Sequence, residues 1–295
     1  MNRFGIIFFF VLTAFYLQAQ EFAYGFKVGL NFSTLLADSE LDANGMELES
    51  FDYNTGFHVG AAFIYRITDL VGVRGELLYN QKGVKYGYDG RGFQIFTDDQ
   101  GTRILSTNGN RQFFLEVVNS YISIPLTAYY KIGEKLEIYG GVDVSFLVGS
   151  SGVGSYTYTG EVPGFPDIDQ LFELDYNYYS DESAANTVLN EGASIFTLMN
   201  NSRSIKIPEQ LGAYYLDYPE KDGSFYNILD FGLTGGLAFY INSGLFISGT
   251  VNYGLVDATN NFYDISRTET NNLEYVSRSD KDTNLSFMAS VGFSF

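Results

Sequence analysis

TNLSFMASVGFSF, residues 283–295, alternates without a break between apolar residues and small or polar ones, and it ends on an aromatic residue. Leu285, Phe287, Ala289, Val291, Phe293 and Phe295 share one side; Asn284, Ser286, Met288, Ser290, Gly292 and Ser294 share the other. A strand turns successive side chains to opposite faces, so one face suits lipid and the other a polar interior. The segment reads as the closing strand of a membrane β-barrel.

The same two-residue rhythm, followed towards the amino terminus, predicts eight strands at 22–34, 53–66, 71–84, 118–132, 136–149, 229–241, 244–257 and 283–295. The connections 67–70, 133–135 and 242–243 are tight, whereas 35–52, 85–117, 150–228 and 258–282 are long. Strict alternation of short and long is the asymmetry of short periplasmic turns and longer extracellular loops. The expected fold is all-β: an eight-stranded antiparallel up-and-down transmembrane barrel over 21–295, with long extracellular loops, an extracellular insertion at 150–228 and both termini in the periplasm. Alternation alone does not say which face is outside, so a soluble lipocalin-like barrel with an apolar interior stays open.

Composition agrees with this class. Aromatic residues make up 17% of the chain, with 24 Tyr, 27 Phe and 32 Gly against 5 Pro, which is β-rich usage. A formal charge of −18 argues against nucleic acid, whose phosphates need a basic surface. Residues 1–20 carry one cation, Arg3, then an apolar run from Phe4 to Leu17 and a small-residue boundary at Ala19. That is the layout of a secretory signal peptide cleaved near Ala19 or Gln20. The run falls short of the roughly 20 residues of a spanning helix.

The charged residues fall with the glycines, on the face opposite the large apolar side chains. The inner face is expected to hold Lys27, Arg66, Arg74 and Lys82 against Glu76, Glu137, Asp143 and Asp230, with His58, the only histidine, beside them. Balanced signs favour a paired, polar plug over a selective channel, because buried charges are costly unless paired. Lys27, Arg74, Glu76 and Asp143 are expected to form a mid-barrel network, with His58, Lys82 and Glu137 in the same polar lumen. Pro125 lacks an amide hydrogen and predicts a ladder defect in the fourth strand.

The insertion 150–228 has twelve acidic and three basic residues, a charge of −9, and nine tyrosines. Tyr156, Tyr158, Tyr176, Tyr178, Tyr179, Tyr214, Tyr215 and Tyr218 offer contact material for a sugar, peptide or protein. A folded cap whose rings pack on one another is the competing reading. A short helix is expected within 181–200. No serine or carboxylate stands at a spacing that makes His58 a catalytic base, GSSGVG at 149–154 lacks the lysine of a phosphate cradle, and DKDTN at 280–284 lacks the glycine and glutamate of a calcium loop. No catalytic residue, metal ligand or cofactor is expected.

FKVGLNFS at 26–33, ELLYNQKG at 76–83, SYISIPLTAYYKI at 120–132 and the terminal SVGFSF together resemble the PorT-like outer-membrane β-barrel proteins of the Bacteroidota. The resemblance covers all eight strands and not the long loops. It implies a Gram-negative outer membrane, contact with its lipid and lipopolysaccharide, and insertion by the barrel-assembly machinery reading Phe293 and Phe295. One named member is implicated in protein export by the type IX secretion apparatus. The expected function is a non-enzymatic barrel presenting its loops for binding or envelope organisation. The alternatives are a narrow small-solute channel and an accessory protein of a secretion apparatus, with an extracellular or secretion-system protein as partner.

Overall fold

The computed structural model describes residues 22–179, 195–211, 223–271 and 273–295; the segment read as a signal peptide lies outside them. Eight strands form the barrel: β1 (Phe22–Leu36), β2 (Glu49–Arg66), β3 (Val71–Thr97), β4 (Arg103–Ile132), β5 (Leu136–Gly160), β10 (Leu229–Tyr240), β11 (Leu245–Gly254) and β14 (Thr283–Ser294). Each runs antiparallel to its neighbour, and the ring closes where β14 pairs β1 and β10 pairs β5. Closure leaves the wall without an open edge, which lipid requires because it supplies no hydrogen bonds. No helix among the described residues is long and apolar enough to cross a membrane; this chain crosses with strands.

The short connections are built from local side-chain chemistry. Thr68 Oγ1 accepts from the amides of Leu70 and Val71, and Asn242 Oδ1 accepts from those of Gly244 and Leu245. Gly133 takes φ 68°, the left-handed conformation that a glycine adopts without strain.

The faces settle which side meets lipid. Tyr24, Phe63 and Leu126 are 63, 62 and 54% exposed on the outer wall, while Lys27, Glu137 and His58 are 5, 1 and 0% exposed within. An apolar belt of this extent is an interaction surface, and around a closed barrel it is the lipid surface. The soluble, inverted barrel is thereby excluded.

Five strands run further than their alternation predicts, β3, β4 and β5 by the most. Residues 85–117 are not a free loop: β3 and β4 stay paired from Val71↔Tyr130 to Thr97↔Arg103 as one tall hairpin. β5 leaves β10 at Phe146 and, from Ser151, pairs instead with β6 (Ile168–Asn177). The hairpin of β7 (Ile195–Asn200) and β8 (Arg203–Pro208), the two-residue β9 (Gln210–Leu211), and the hairpin of β12 (Ile265–Asn271) and β13 (Glu274–Ser277) complete the part above the membrane. Of the helix expected within 181–200, residues 181–194 lie outside the described residues, and Ile195–Asn200 is strand β7. Arg203 Nε donates to Asp98 Oδ2 at 2.6 Å, tying β8 to the tip of the β3–β4 hairpin.

The main hydrophobic core lies in this cap. Leu115, Val117, Tyr158, Ile168, Phe172 and Ile205 are among its buried members. Apolar burial drives the cap together in water, whereas the barrel buries polar groups and turns its apolar side chains to lipid. Pro125 still faces Asp143 on β5, but pairing with β3 is interrupted between Gly75↔Leu126 and Leu78↔Ser123 without a register shift. The β4–β5 register shift sits instead between Ser120 and Tyr121, where Val148 of β5 is the extra residue.

Candidate functional site: the barrel lumen and the cavity above it

The lumen charges fall into two groups. Low in the barrel, Lys27 Nζ lies 2.5 Å from Glu76 Oε2, and Arg74 is paired with Glu137, which also accepts from Tyr240 Oη at 3.2 Å. The Arg74 guanidinium rests 5.4 Å from the ring centres of both Tyr129 and Tyr139. Higher up, Lys82 Nζ stands between Asp230 (2.7 Å) and Asp143 (3.6 Å), with Ser145 Oγ donating to Asp143 and Asn284 Nδ2 to Asp230. Asp143 therefore sits with Lys82, apart from the Lys27–Glu76 and Arg74–Glu137 pairs. Arg66, expected inside, is exposed beside the turn at 67–70, where its long side chain reaches water at no desolvation cost. The four lumen carboxylates thus share three lumen cations.

His58 lies between these groups and two polar side chains. Asn31 Nδ2 donates to Asn80 Oδ1 at 2.6 Å and to the Gln81 carbonyl at 2.7 Å, which orients Asn31 Oδ1 as the acceptor for His58 Nδ1–H at 2.6 Å. His58 Nε2 is left to accept from Ser290 Oγ at 2.8 Å. Serine, imidazole and amide have the connectivity of a nucleophile, a base and an orienting group, which spacing in sequence could not reveal. All three are buried in the wall, so the arrangement is closed to a substrate.

Above the lumen, a cavity of about 110 Å³ opens between the barrel mouth and the cap. Leu35, Val84, Leu115 and Val117 form its floor, and Phe51, Tyr86, Tyr178, Phe225, Tyr226 and Tyr263 line it with rings. Its charged rim is held by Arg278, which contacts Glu49 Oε2 (2.6 Å), Asp280 Oδ2 (2.9 Å) and Asp264 Oδ1 (3.9 Å). Tyr86 Oη donates to Glu49 Oε1 at 2.6 Å, and Thr259 Oγ1 to Asp282 Oδ2 at 2.8 Å. Burial, a hydrogen bond with Asp264 and the nearby Asp282 charge push the Asp280 carboxyl up to about 8. Burial and the charges of Asp264 and Asp257 push Asp282 up to about 6.

One carboxylate fastens the rim. Glu40, in the first long connection, accepts from Ser266 Oγ (2.5 Å), Thr268 Oγ1 (2.7 Å) and the amides of Arg267 (2.9 Å) and Thr268 (3.1 Å) in the last. Burial by itself raises its pKa; these hydrogen bonds outweigh burial and hold it below the ordinary glutamate value.

The tyrosines of the insertion divide. Tyr156 is buried, stacked on Phe172 and donating to Gln94 Oε1 at 2.7 Å. Tyr158 is buried and donates to Ser106 Oγ at 2.6 Å. Neither ring belongs to an outer contact surface; both are cap core, because the tall β3–β4–β5 sheet covers them. Tyr178 lines the cavity, and Tyr179 is exposed. The side chain of Tyr176, and Tyr214, Tyr215 and Tyr218 altogether, lie outside the described residues. At the carboxy terminus, Phe293 packs against the ring of Phe26 and Phe295 stacks 5.4 Å from Tyr24.

Sequence reading missed Glu49, Phe51, Tyr86, Arg278 and Asp280. A register shift between Tyr53 and His58 explains the first two. Below it, even-numbered residues of β2 face inward; above it, Phe51 pairs Tyr86 and Glu49 pairs Tyr88, so odd-numbered residues do.

The model of the outer membrane protein beta-barrel domain matches residues 18–260. The chain belongs to that family. Outer-membrane localisation follows from it. Among solved structures, this outer-membrane barrel is similar to Ail, the attachment invasion locus protein of Yersinia pestis, at 11% identity and TM-score 0.36, covering 93% of this chain and 99% of Ail. It is also similar to Neisserial surface protein A (8%, TM-score 0.32, 92% and 97% covered) and to OprG of Pseudomonas aeruginosa (13%, TM-score 0.30, 92% and 96%). No curated protein matches it.

Proposed function

We propose that this outer-membrane barrel is a sealed, non-enzymatic scaffold whose working part is the extracellular cap, which binds a ligand or partner outside the cell. The observation that carries this reading is the contrast between the two interiors. Below the mouth, the inward side chains are tied to one another in ion pairs and hydrogen bonds, which supports a plug. Above it, an aromatic cavity opens within a cap that has its own core. The buried Ser290–His58–Asn31 arrangement supports a structural rather than a catalytic histidine.

In this reading both termini and the tight turns lie in the periplasm, residues 1–20 are removed on export, and the barrel-assembly machinery recognises the aromatic end. Lipid and lipopolysaccharide surround the wall. The motifs at 26–33, 76–83 and 120–132 support a PorT-like place within the family, and with it a Gram-negative source among the Bacteroidota.

Two measurements test the scheme. The chain has no cysteine, so Ser279→Cys in the cap and Ser243→Cys in a tight turn report topology without background. On intact cells a membrane-impermeant maleimide should label Ser279→Cys and leave Ser243→Cys untouched. In planar bilayers the purified protein should show no discrete conductance; large ion-selective openings would establish a channel instead.

A further inference from the structure

The cavity at the barrel mouth differs chemically from everything around it. Its floor is aliphatic and its walls carry aromatic rings, yet its rim carries Glu49, Asp264, Asp280 and Asp282 against Arg267 and Arg278. The Arg278 charge is already spread over Glu49, Asp280 and Asp264. Asp282 has only Thr259 Oγ1 as a side-chain donor, and no cation among the described residues lies within salt-bridge distance of it. Among the described residues the site is short of positive charge at the edge of an aromatic chamber.

We propose that this cavity binds an organic cation, a protonated primary amine on a small apolar body, with the body over the aliphatic floor and the ammonium at Asp280 and Asp282. This rests on the cap being the working part of the molecule. Ring faces attract cations through their quadrupoles, and a carboxylate at the rim completes the recognition of an ammonium. Size sets the body: about 110 Å³ is of the order of an engineered cavity of ~150 Å³ that takes one benzene. Competing chemistries fit less well. No group of three or more histidines, cysteines or carboxylates among the described residues is placed to hold a metal ion. An anion meets a net negative rim. A neutral body strips water from the carboxylates and returns nothing.

The ionisation of the rim supports the assignment. Asp280 shares the cavity lining with Glu49 on β2, Tyr86 on β3, Tyr226 and Tyr263 in the connections, Arg267 on β12, and Asp264, Arg278 and Asp282, and Asp257 acts on Asp282. Asp280 and Asp282 are pushed up to about 8 and about 6 by burial and by neighbouring carboxylates. An entering ammonium stabilises their charged forms, so binding releases protons, and affinity rises between about pH 6 and about pH 8 while the amine stays charged.

The test is titration calorimetry of the full chain in phosphatidylcholine nanodiscs with phenethylamine, its anionic analogue phenylacetate and its neutral analogue 2-phenylethanol. Phenethylamine should bind saturably at neutral pH, with an enthalpy that depends on buffer ionisation, and both analogues should bind at least about tenfold more weakly, the loss of one ion pair. Asp282→Asn should weaken the amine about tenfold, whereas Asp42→Asn, an exposed acid away from the cavity, should leave it unchanged and so exclude general attraction to an acidic protein. Unchanged heat-modifiable mobility shows that each variant is folded. An analogue that binds as tightly as phenethylamine overturns the cationic assignment and leaves the cap as a binding element. No saturable binding of phenethylamine overturns the site itself. Failure of the sealed-scaffold reading shows separately, as conductance or as labelling from the wrong side.

Discussion

Glu40→Gln should loosen the rim of the cap without weakening the barrel. The native carboxylate accepts from two amides and two hydroxyls, the longest of the four at 3.1 Å. Glutamine keeps one acceptor oxygen, Oε1, which already accepts from the Arg267 amide at 3.1 Å, but its amide nitrogen replaces Oε2, which faces the same amide at 2.9 Å, so a donor then meets a donor. Losing the shorter arm of that bifurcated bond costs about 1 kcal/mol, and the other bonds lose their charge assistance, about 1 kcal/mol each. Relief from burying a charge returns part of this, for a net loss of about 2–3 kcal/mol, or roughly 30- to 150-fold in the population of the opened rim. Hydrogen exchange followed by mass spectrometry should show faster exchange in peptides covering 37–42 and 262–271, with no change in the barrel strands. The wild type should show the same loosening in acid. Because the folded Glu40 pKa is depressed, its contribution is fully present above the ordinary glutamate value and is lost as pH falls through the folded value. Equal protection of Arg267 and Thr268 in the variant and the wild type would refute the latch.

Other outcomes follow from the lumen and the wall. Lys82→Met removes the one cation between Asp143 and Asp230 and should cost about 3–5 kcal/mol in urea unfolding from lipid vesicles. Adding Asp143→Asn and Asp230→Asn should restore most of that; a triple variant as unstable as the single would contradict the pairing. Gly29→Ala places a Cβ 2.0 Å from the Ala289 carbonyl and 2.6 Å from His58 Cε1, so the gel-shift temperature should fall by an amount matching ~1–3 kcal/mol. Gly249→Ala, whose Cβ meets nothing within 4 Å, should leave it unchanged. Phe295→Ser removes the ring stacked on Tyr24, and quantification of membrane fractions should show less folded protein in the outer membrane.

The membrane-embedded part of this fold was legible because lipid enforces a two-residue alternation. Every residue between Tyr24 and Phe32 is either against lipid or against a polar interior, and the sequence has to say which. Above the membrane that constraint ends. At Phe113, Phe114 and Leu115 apolar residues follow one another on β4, since water, the cap core and a sheet neighbour replace lipid and lumen as surroundings, so the tall hairpin read as a loop. Composition placed many tyrosines in the insertion without saying which would face inward: Tyr158 and Tyr179 differ by their neighbours, not by their type. Arg66 was misplaced because alternation assigns a face and takes no account of a strand end, where a long cation reaches water.

The cavity lies where it does because the strands change their inward chemistry as they leave the membrane. On β3 the inward series runs Asn80, Lys82, Val84, Tyr86; on β4 it runs Ser123, Tyr121, Asn119, Val117, Leu115; on β1 Ser33 gives way to Leu35. Polar residues fill the narrow part, where an eight-stranded interior is just wide enough for side chains. One register shift in β2 then brings Phe51 and Glu49 onto the same side, aligning a ring and a carboxylate with the new apolar floor. The segments 223–228, 257–271 and 273–282 close over it with more rings and acids. Side chains fill the lumen of this barrel, and the cavity proposed to bind lies at the mouth, where the same strands continue with different side chains and the cap supplies the missing walls.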